Sequence, residues 1–308
     1  DEVPRDNVAA FRRFRAKLLQ EKAAGQWQDV IITHNMDRNL AFYDGTIRGM
    51  LLRAYRKPIT VPLQPVLQLT GTEITRVNDF ASRYRLHAFK FVVLWEYAPQ
   101  SGQLTFDPAW VDHVARELTK DPDTCVILSS ARKFASTPQI IDASKLTIRE
   151  NAALTHHCHL LIGCSSGITW LNSSSAGKQL PAIQLIDPQA RFLNAPSEDL
   201  RRYGTGNNGL LELYRWTDEV LVQRVQEIKS KGIQAVAAAH QEALPLYFNT
   251  TPVIIYNLLC YGQFGAVLQH IRIMIGQYGW HPVLLRQISW GFIRFPFRLV
   301  YQLLRRKK

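Results

Sequence analysis

Between Phe89 and Ile186 the chain alternates short apolar runs with polar turns and helix-like stretches, and few folds accept that order. Phe89–Glu96 reads as a strand, Ala98–Gln103 as a loop, and Asp107-Pro108 as the opening of a helix running to Thr119. Thr124–Leu128 is a second strand, followed by the polar turn Ser129–Lys133, and Ile140–Ile141 is a short third. Thr147-x-x-Glu150 has the form of a capping box and predicts a helix through His156. Leu160–Gly163 is a strand, 169–176 a helix, and Pro181–Ile186 a strand ended by Asp187-Pro188. The pattern predicts an α/β fold, a Rossmann-like parallel sheet with helices on both faces, in which ligands bind at the carboxyl ends of the strands.

Within that region Leu160–Leu171 carries the most chemistry: an apolar strand, a turn of small residues, then a helix start. Ser165, Ser166, Gly167 and Thr169 are candidates to hold a diphosphate through hydroxyls and backbone amides at a helix N-terminus. The same residues also suit a simple N-cap turn. Ser101, Gly102 and Gln103 occupy the first strand-to-helix loop, either as a second phosphate cradle or as a plain polar loop. Ser130, Arg132 and Lys133 follow the second strand, where cations could offset phosphate charge or simply be solvated. Glu150 could reach ribose hydroxyls, although it already has a capping role. His156-His157-Cys158-His159 is too tightly spaced for a tetrahedral metal site and suits a helix C-terminus, so no metal is assigned. The glycine-rich stretch Tyr203–Gly209 matches no phosphate-binding fingerprint and reads as a surface loop near the cleft.

Ahead of the alternation, 6–24 predicts a helix, Asp29–Thr33 a strand, and 46–56 another helix. Asp37 and Arg38 follow that strand and are candidates for the acceptor side of a cleft, or ordinary loop residues. Pro58, Pro62 and Pro65 make 57–69 an extended connector, and Thr70-x-x-Glu73 caps a helix to Tyr84. Asp218–Leu244 predicts one long helix. The expected organisation is an N-terminal unit (1–64), a linker and helix (65–86), an α/β ligand-binding domain (87–250) and a helical tail (251–308).

The formal net charge is +12, and its placement is uneven. Glu242 is the last acidic residue, and eight basic residues follow it. Trp290, Arg294, Phe295 and Arg298 lie in a tail rich in aromatics and arginine, the composition of an interfacial helix on an anionic membrane surface. A helix packed back on the domain, with arginine heads in water, has the same composition. Pro296 should kink that helix. The stretch is too apolar for a nucleic-acid arm, and no apolar run is long enough to span a bilayer. Cys125, Cys158, Cys164 and Cys260 form no Cys-x-x-Cys pair and read as thiols of a reducing compartment.

Three segments together carry a family likeness: Pro65-Val66-Leu67-Gln68-Leu69-Thr70-Gly71-Thr72-Glu73, Thr147–Leu154, and Leu161-Ile162-Gly163-Cys164-Ser165-Ser166-Gly167. They resemble the linker, capped helix and Ser-Gly turn of GT-B glycosyltransferases, most of all the heptosyltransferase-type inverting enzymes, over roughly residues 62–190. Cys164-Ser165 stands where that family has Asn-Asp, and Trp170 where it often has His; fucosyltransferases with a related Ser-Ser turn are near neighbours. The resemblance implies a metal-independent, inverting transfer of a sugar from a nucleotide-diphosphate donor to a hydroxyl of a glycan or lipid-linked acceptor. It places that reaction at the inner face of a bacterial plasma membrane, in surface polysaccharide synthesis. It implies that 1–64 is part of an acceptor-side Rossmann-like domain and 87–250 the nucleotide-sugar-binding domain. It also implies no cofactor beyond the donor as substrate, and an acidic base from an early part of the N-terminal domain, a part expected to be missing from this sequence. Two other readings stand beside it: a membrane-peripheral scaffold with a vestigial nucleotide fold, and a GT-B-like sugar-nucleotide epimerase.

Overall fold

A computed structural model describes residues 8–30, 37–53, 55, 63–98, 104–190, 195–203 and 209–305. Helices α1 (Val8–Ala23), α2 (Ile47–Arg53) and α3 (Gly71–Arg83) come first, with a 3-10 turn at Asp37–Phe42. The alternation then runs β1 (Phe91–Glu96), α4 (Pro108–Leu118), β2 (Thr124–Ser129), β3 (Ile140–Asp142), α5 (Ile148–Leu154), β4 (Leu160–Gly163), α6 (Gly167–Asn172), β5 (Ala182–Leu185), α7 (Pro196–Tyr203) and β6 (Leu210–Leu213). Five helices close the chain: α8 (Asp218–Lys231), α9 (Ile233–His240), α10 (Thr250–Cys260), α11 (Phe264–Tyr278) and α12 (Pro282–Arg305).

All six strands are parallel, in the order β3-β2-β1-β4-β5-β6. This is the doubly wound Rossmann order, which reverses direction between β1 and β4. The two-residue period of a strand divides the core into two layers. Phe91, Val93 and Trp95 pack on Val111, Val114, Leu221 and Val225 of α4 and α8. Val92 and Leu94 face the other way, onto Val77, Leu154 and Ile168 of α3, α5 and α6.

Caps fix the helix starts. Thr70 Oγ1 accepts from Glu73 N at 3.2 Å while Glu73 accepts from Thr70 N at 2.7 Å. Thr147 and Glu150 repeat the box, and Asp107 caps α4 with Pro108 at its first position. Gly232, at φ +81°, divides the single helix expected over Asp218–Leu244 into α8 and α9. Helix α6 starts at Gly167 and ends at Asn172, earlier than expected at both ends. Of the strand expected at Asp29–Thr33, Asp29 and Val30 are irregular and 31–33 lie outside the described residues.

The C-terminal helices and the N-terminal piece, separate in the sequence reading, share one core. Ala41, Phe42 and Met50 are buried with Ile254, Ile255, Leu258 and Val267. Helix α10 crosses α12 at Gly291, where an added Cβ would lie 2.8 Å from Ile255 Cβ and 3.1 Å from Pro252 Cα. This helical lobe faces the sheet lobe across the carboxyl ends of the strands. Helix α12 continues through Pro296, and no helix among the described residues is long and apolar enough to cross a membrane.

Candidate functional site

The switch point of the sheet lies between the carboxyl ends of β1 and β4, where doubly wound sheets open a crevice. Glu96 ends β1, and Gly163–Gly167 leads β4 into α6. The turn is stitched to both neighbours. Ser166 Oγ donates to Glu96 Oε1, and Cys164 Sγ donates to the Glu96 carbonyl at 3.7 Å. Ser165, held at φ +57°, donates its N–H to Gln184 Oε1 at 2.8 Å, and Thr169 Oγ1 donates to the same oxygen at 3.1 Å. Gly163 is required by this crowding: a Cβ there would sit 2.7 Å from Thr169 Oγ1 and 2.9 Å from Gln184 Nε2. Burial pushes the Glu96 carboxyl up to about 7, opposed by the Ser166 hydrogen bond.

This geometry modifies the expected diphosphate clasp. The hydroxyls of Ser166 and Thr169 are turned into the protein, and α6 has six residues, too short for a strong dipole. The turn still opens on free space. Ser165, Ser166 and Gly167 line one side of a cavity of about 460 Å³, together with Trp170, Ala195 and Asp199. Thr46, Arg48, Leu51, Leu52, Leu63 and Pro65 supply the facing wall.

Arg48 spans the cavity between the lobes. Its Nε lies 3.0 Å from Asp199 Oδ2, and its guanidinium stacks 4.7 Å above the Trp170 ring. Burial raises the Asp199 carboxyl to about 6, against the pull of Arg48. Helix α7, which carries Asp199, is held by Glu212 at the end of β6. Glu212 accepts from Ser197 N at 2.8 Å, Ser197 Oγ at 2.6 Å and Tyr214 Oη at 2.5 Å. Behind the cavity Arg202 joins the lobes: it pairs with buried Asp44 at 2.7 Å and donates to the Asp44 carbonyl at 2.9 Å. Tyr278 Oη also donates to that carbonyl at 2.9 Å.

Other expected residues fall elsewhere. Ser101, Gly102 and Gln103 lie outside the described residues, as do the side chains of Asp37, Arg38 and Arg298. Ser130 accepts from Arg132 N at 2.9 Å within the β2 loop; Arg132 and Lys133 are exposed, and none of the three lines the cavity. Glu150 is buried; it caps Thr147 N at 2.6 Å and pairs with Arg76 at 3.2 Å, and it does not line the cavity. Each histidine of the 156–159 run meets a protein partner: the Ala176 carbonyl, Asn78 and Val92 N. Of the membrane-contact set, Phe295 is half-buried and packs on the shared helical core, whereas Trp290 and Arg294 are exposed and stack at 4.8 Å. The 204–208 part of the glycine-rich loop lies outside the described residues.

Sequence reasoning missed Glu96, Gln184, Arg48 and Asp199. Glu96 and Gln184 had a visible signal, a polar residue at the end of, or inside, an apolar strand run.

No family model matches this sequence, and no curated protein matches it. Among solved structures the chain is similar to a glycosyl transferase family 9 protein from Veillonella parvula DSM 2008, with 14% sequence identity and a TM-score of 0.40. The likeness covers 60% of this chain and 51% of that one, so the chain spans about half the length of that structure.

Proposed function

We propose that this chain is a glycosyltransferase of the two-lobed GT-B kind, moving a sugar from a nucleotide-diphosphate donor to an acceptor hydroxyl. The observation that carries the reading is the cavity at the β1/β4 switch point, with the Ser165–Gly167 turn on one wall and Arg48 on the other. In this reading the Ser166 and Gly167 amides and Arg48 hold the diphosphate, and Arg48 exchanges Asp199 for the anion as the donor enters. The acceptor oxygen bonds to the anomeric carbon from the face opposite the diphosphate. As that bond forms, the carbon–oxygen bond to the diphosphate breaks, the nucleoside diphosphate leaves with the bonding pair, and the acceptor's proton passes to a carboxylate. Asp199 is a carboxylate on the cavity wall, and its affinity near 6 suits that role.

The acceptor in this reading is a glycan or lipid-linked hydroxyl presented at an anionic membrane surface. Support comes from α12, where Trp290, Ile293, Phe297 and Val300 are exposed at helical spacing beside Arg286 and Arg294, with no acidic residue after Glu242. A thermal-shift screen against UDP-, GDP-, CMP- and ADP-sugars tests the donor half. A selective shift by one nucleotide class supports transfer. No shift with any of them, alongside retained liposome binding, supports the scaffold reading instead.

A further inference from the structure

The cavity carries polar groups on both walls: the serine turn and Asp199 on one, Thr46 and Arg48 on the other. The rest of that second wall is hydrocarbon: Leu51 and Leu52 of α2, with Leu63 and Pro65 of the connector, all half-buried. The diphosphate and sugar of a donor are polar and leave this wall without a matching surface, and a nucleobase offers it a flat face rather than a flexible chain. Helix α2 also turns Met50 into the core shared with α10 and α12, so one short helix borders both the cavity and that core.

From this we infer that the Leu51–Leu52–Leu63–Pro65 wall binds an alkyl or isoprenoid chain attached within a few bonds of the acceptor hydroxyl. The inference rests on the transferase reading and narrows its acceptor to an amphipathic lipid, whose chain lies beside the reacting group rather than remote from it. Burying each methylene strengthens binding roughly fourfold, so a short chain is enough to give a measurable preference.

The test compares octyl β-D-glucopyranoside, below its micelle concentration, with methyl β-D-glucopyranoside by titration calorimetry on the full chain. The octyl glycoside should bind saturably and at least tenfold tighter. Leu52→Asp should remove that preference, and Leu52→Met should keep it; Leu52, unlike Leu51, is not packed on the helical core. Equal affinity for the two glycosides, or a preference untouched by Leu52→Asp, overturns the inference. So does a preference lost only in Trp290→Ala, which would place the chain on α12. Loss of nucleotide-sugar thermal shifts in Leu52→Asp together with the octyl preference would mark the wall as a nucleobase pocket and overturn the inference. A donor screen with no shift removes the transferase reading alone, and the glycoside data then still decide whether the wall binds a chain.

Discussion

The carboxyl of Glu96, the last residue of β1, accepts the hydroxyl hydrogen bond of Ser166, the residue that opens α6 after β4. The two are 70 positions apart in the chain, and they meet at the point where the sheet reverses its winding. The bond ties the loop that borders the cavity to the strand beside it, and it buries an acid to do so.

That burial makes stability depend on pH with a definite sign. The folded affinity of Glu96 for its proton, about 7, lies above the unfolded value of 4.5. The native state therefore holds more protons between those limits, and stability falls as pH rises from 4.5 to 7, by on the order of 3 kcal/mol. Asp199 adds a smaller loss of the same sign below about pH 6. Glu96→Gln keeps the hydrogen bond without the charge. Urea unfolding at pH 5 and pH 8 should show most of the decline vanish in the variant, which becomes the more stable protein at pH 8.

Gly163→Ala forces a methyl group against Thr169 Oγ1 and Gln184 Nε2. The backbone must shift or the Gln184 bonds must break, at a cost of about 1–3 kcal/mol. Thermal unfolding should report the loss, and Gln184→Ala, which empties that space, should recover part of it in the double variant.

Arg202 neutralises Asp44, whose side chain is wholly buried between the lobes. Arg202→Ala leaves Arg53, partly in solvent, as the remaining cation on that carboxylate among the described residues. Removing one partner of a buried pair costs about 3–5 kcal/mol, and the upper part of that range applies if Arg53 cannot compensate. Arg202→Lys should recover less than half, because a lysine cannot also reach the Asp44 carbonyl and Tyr278 Oη in one planar fork.

Binding to vesicles containing phosphatidylserine should need both the hydrocarbon and the charge of α12. Trp290→Ala and Arg294→Gln should each weaken it several-fold, with Arg294→Gln also flattening the salt dependence. Phe295→Ala should instead lower thermal stability, since that ring packs inward.

The alternation of strands and helices was legible because each strand here is a short run of buried apolar residues bounded by turn formers. The capping boxes at Thr70 and Thr147 were legible because their partners are three residues apart. Helix α7 and β6 were missed: α7 is charged, with Glu198, Asp199, Arg201 and Arg202 in eight residues, and β6 is four residues long with Glu212 inside it. The site itself was half visible. The turn at Ser165–Gly167 is a local motif, whereas the partners that decide where its hydroxyls point, Glu96 and Gln184, are set by strand order. Arg48 enters from another lobe, 151 positions before Asp199, and no local pattern announces such a pair.

Calorimetric titration of nucleotide sugars into the wild-type chain and Gly167→Val addresses the central claim directly. The valine side chain would fill the cavity at the turn and press on Ile148, whose Cδ1 lies 3.0 Å from the added Cβ. Saturable binding of one nucleotide sugar to the wild type, reduced at least tenfold in the folded variant, is the result this account predicts. Binding of equal strength to both proteins, or heat of dilution alone with every donor, would contradict it.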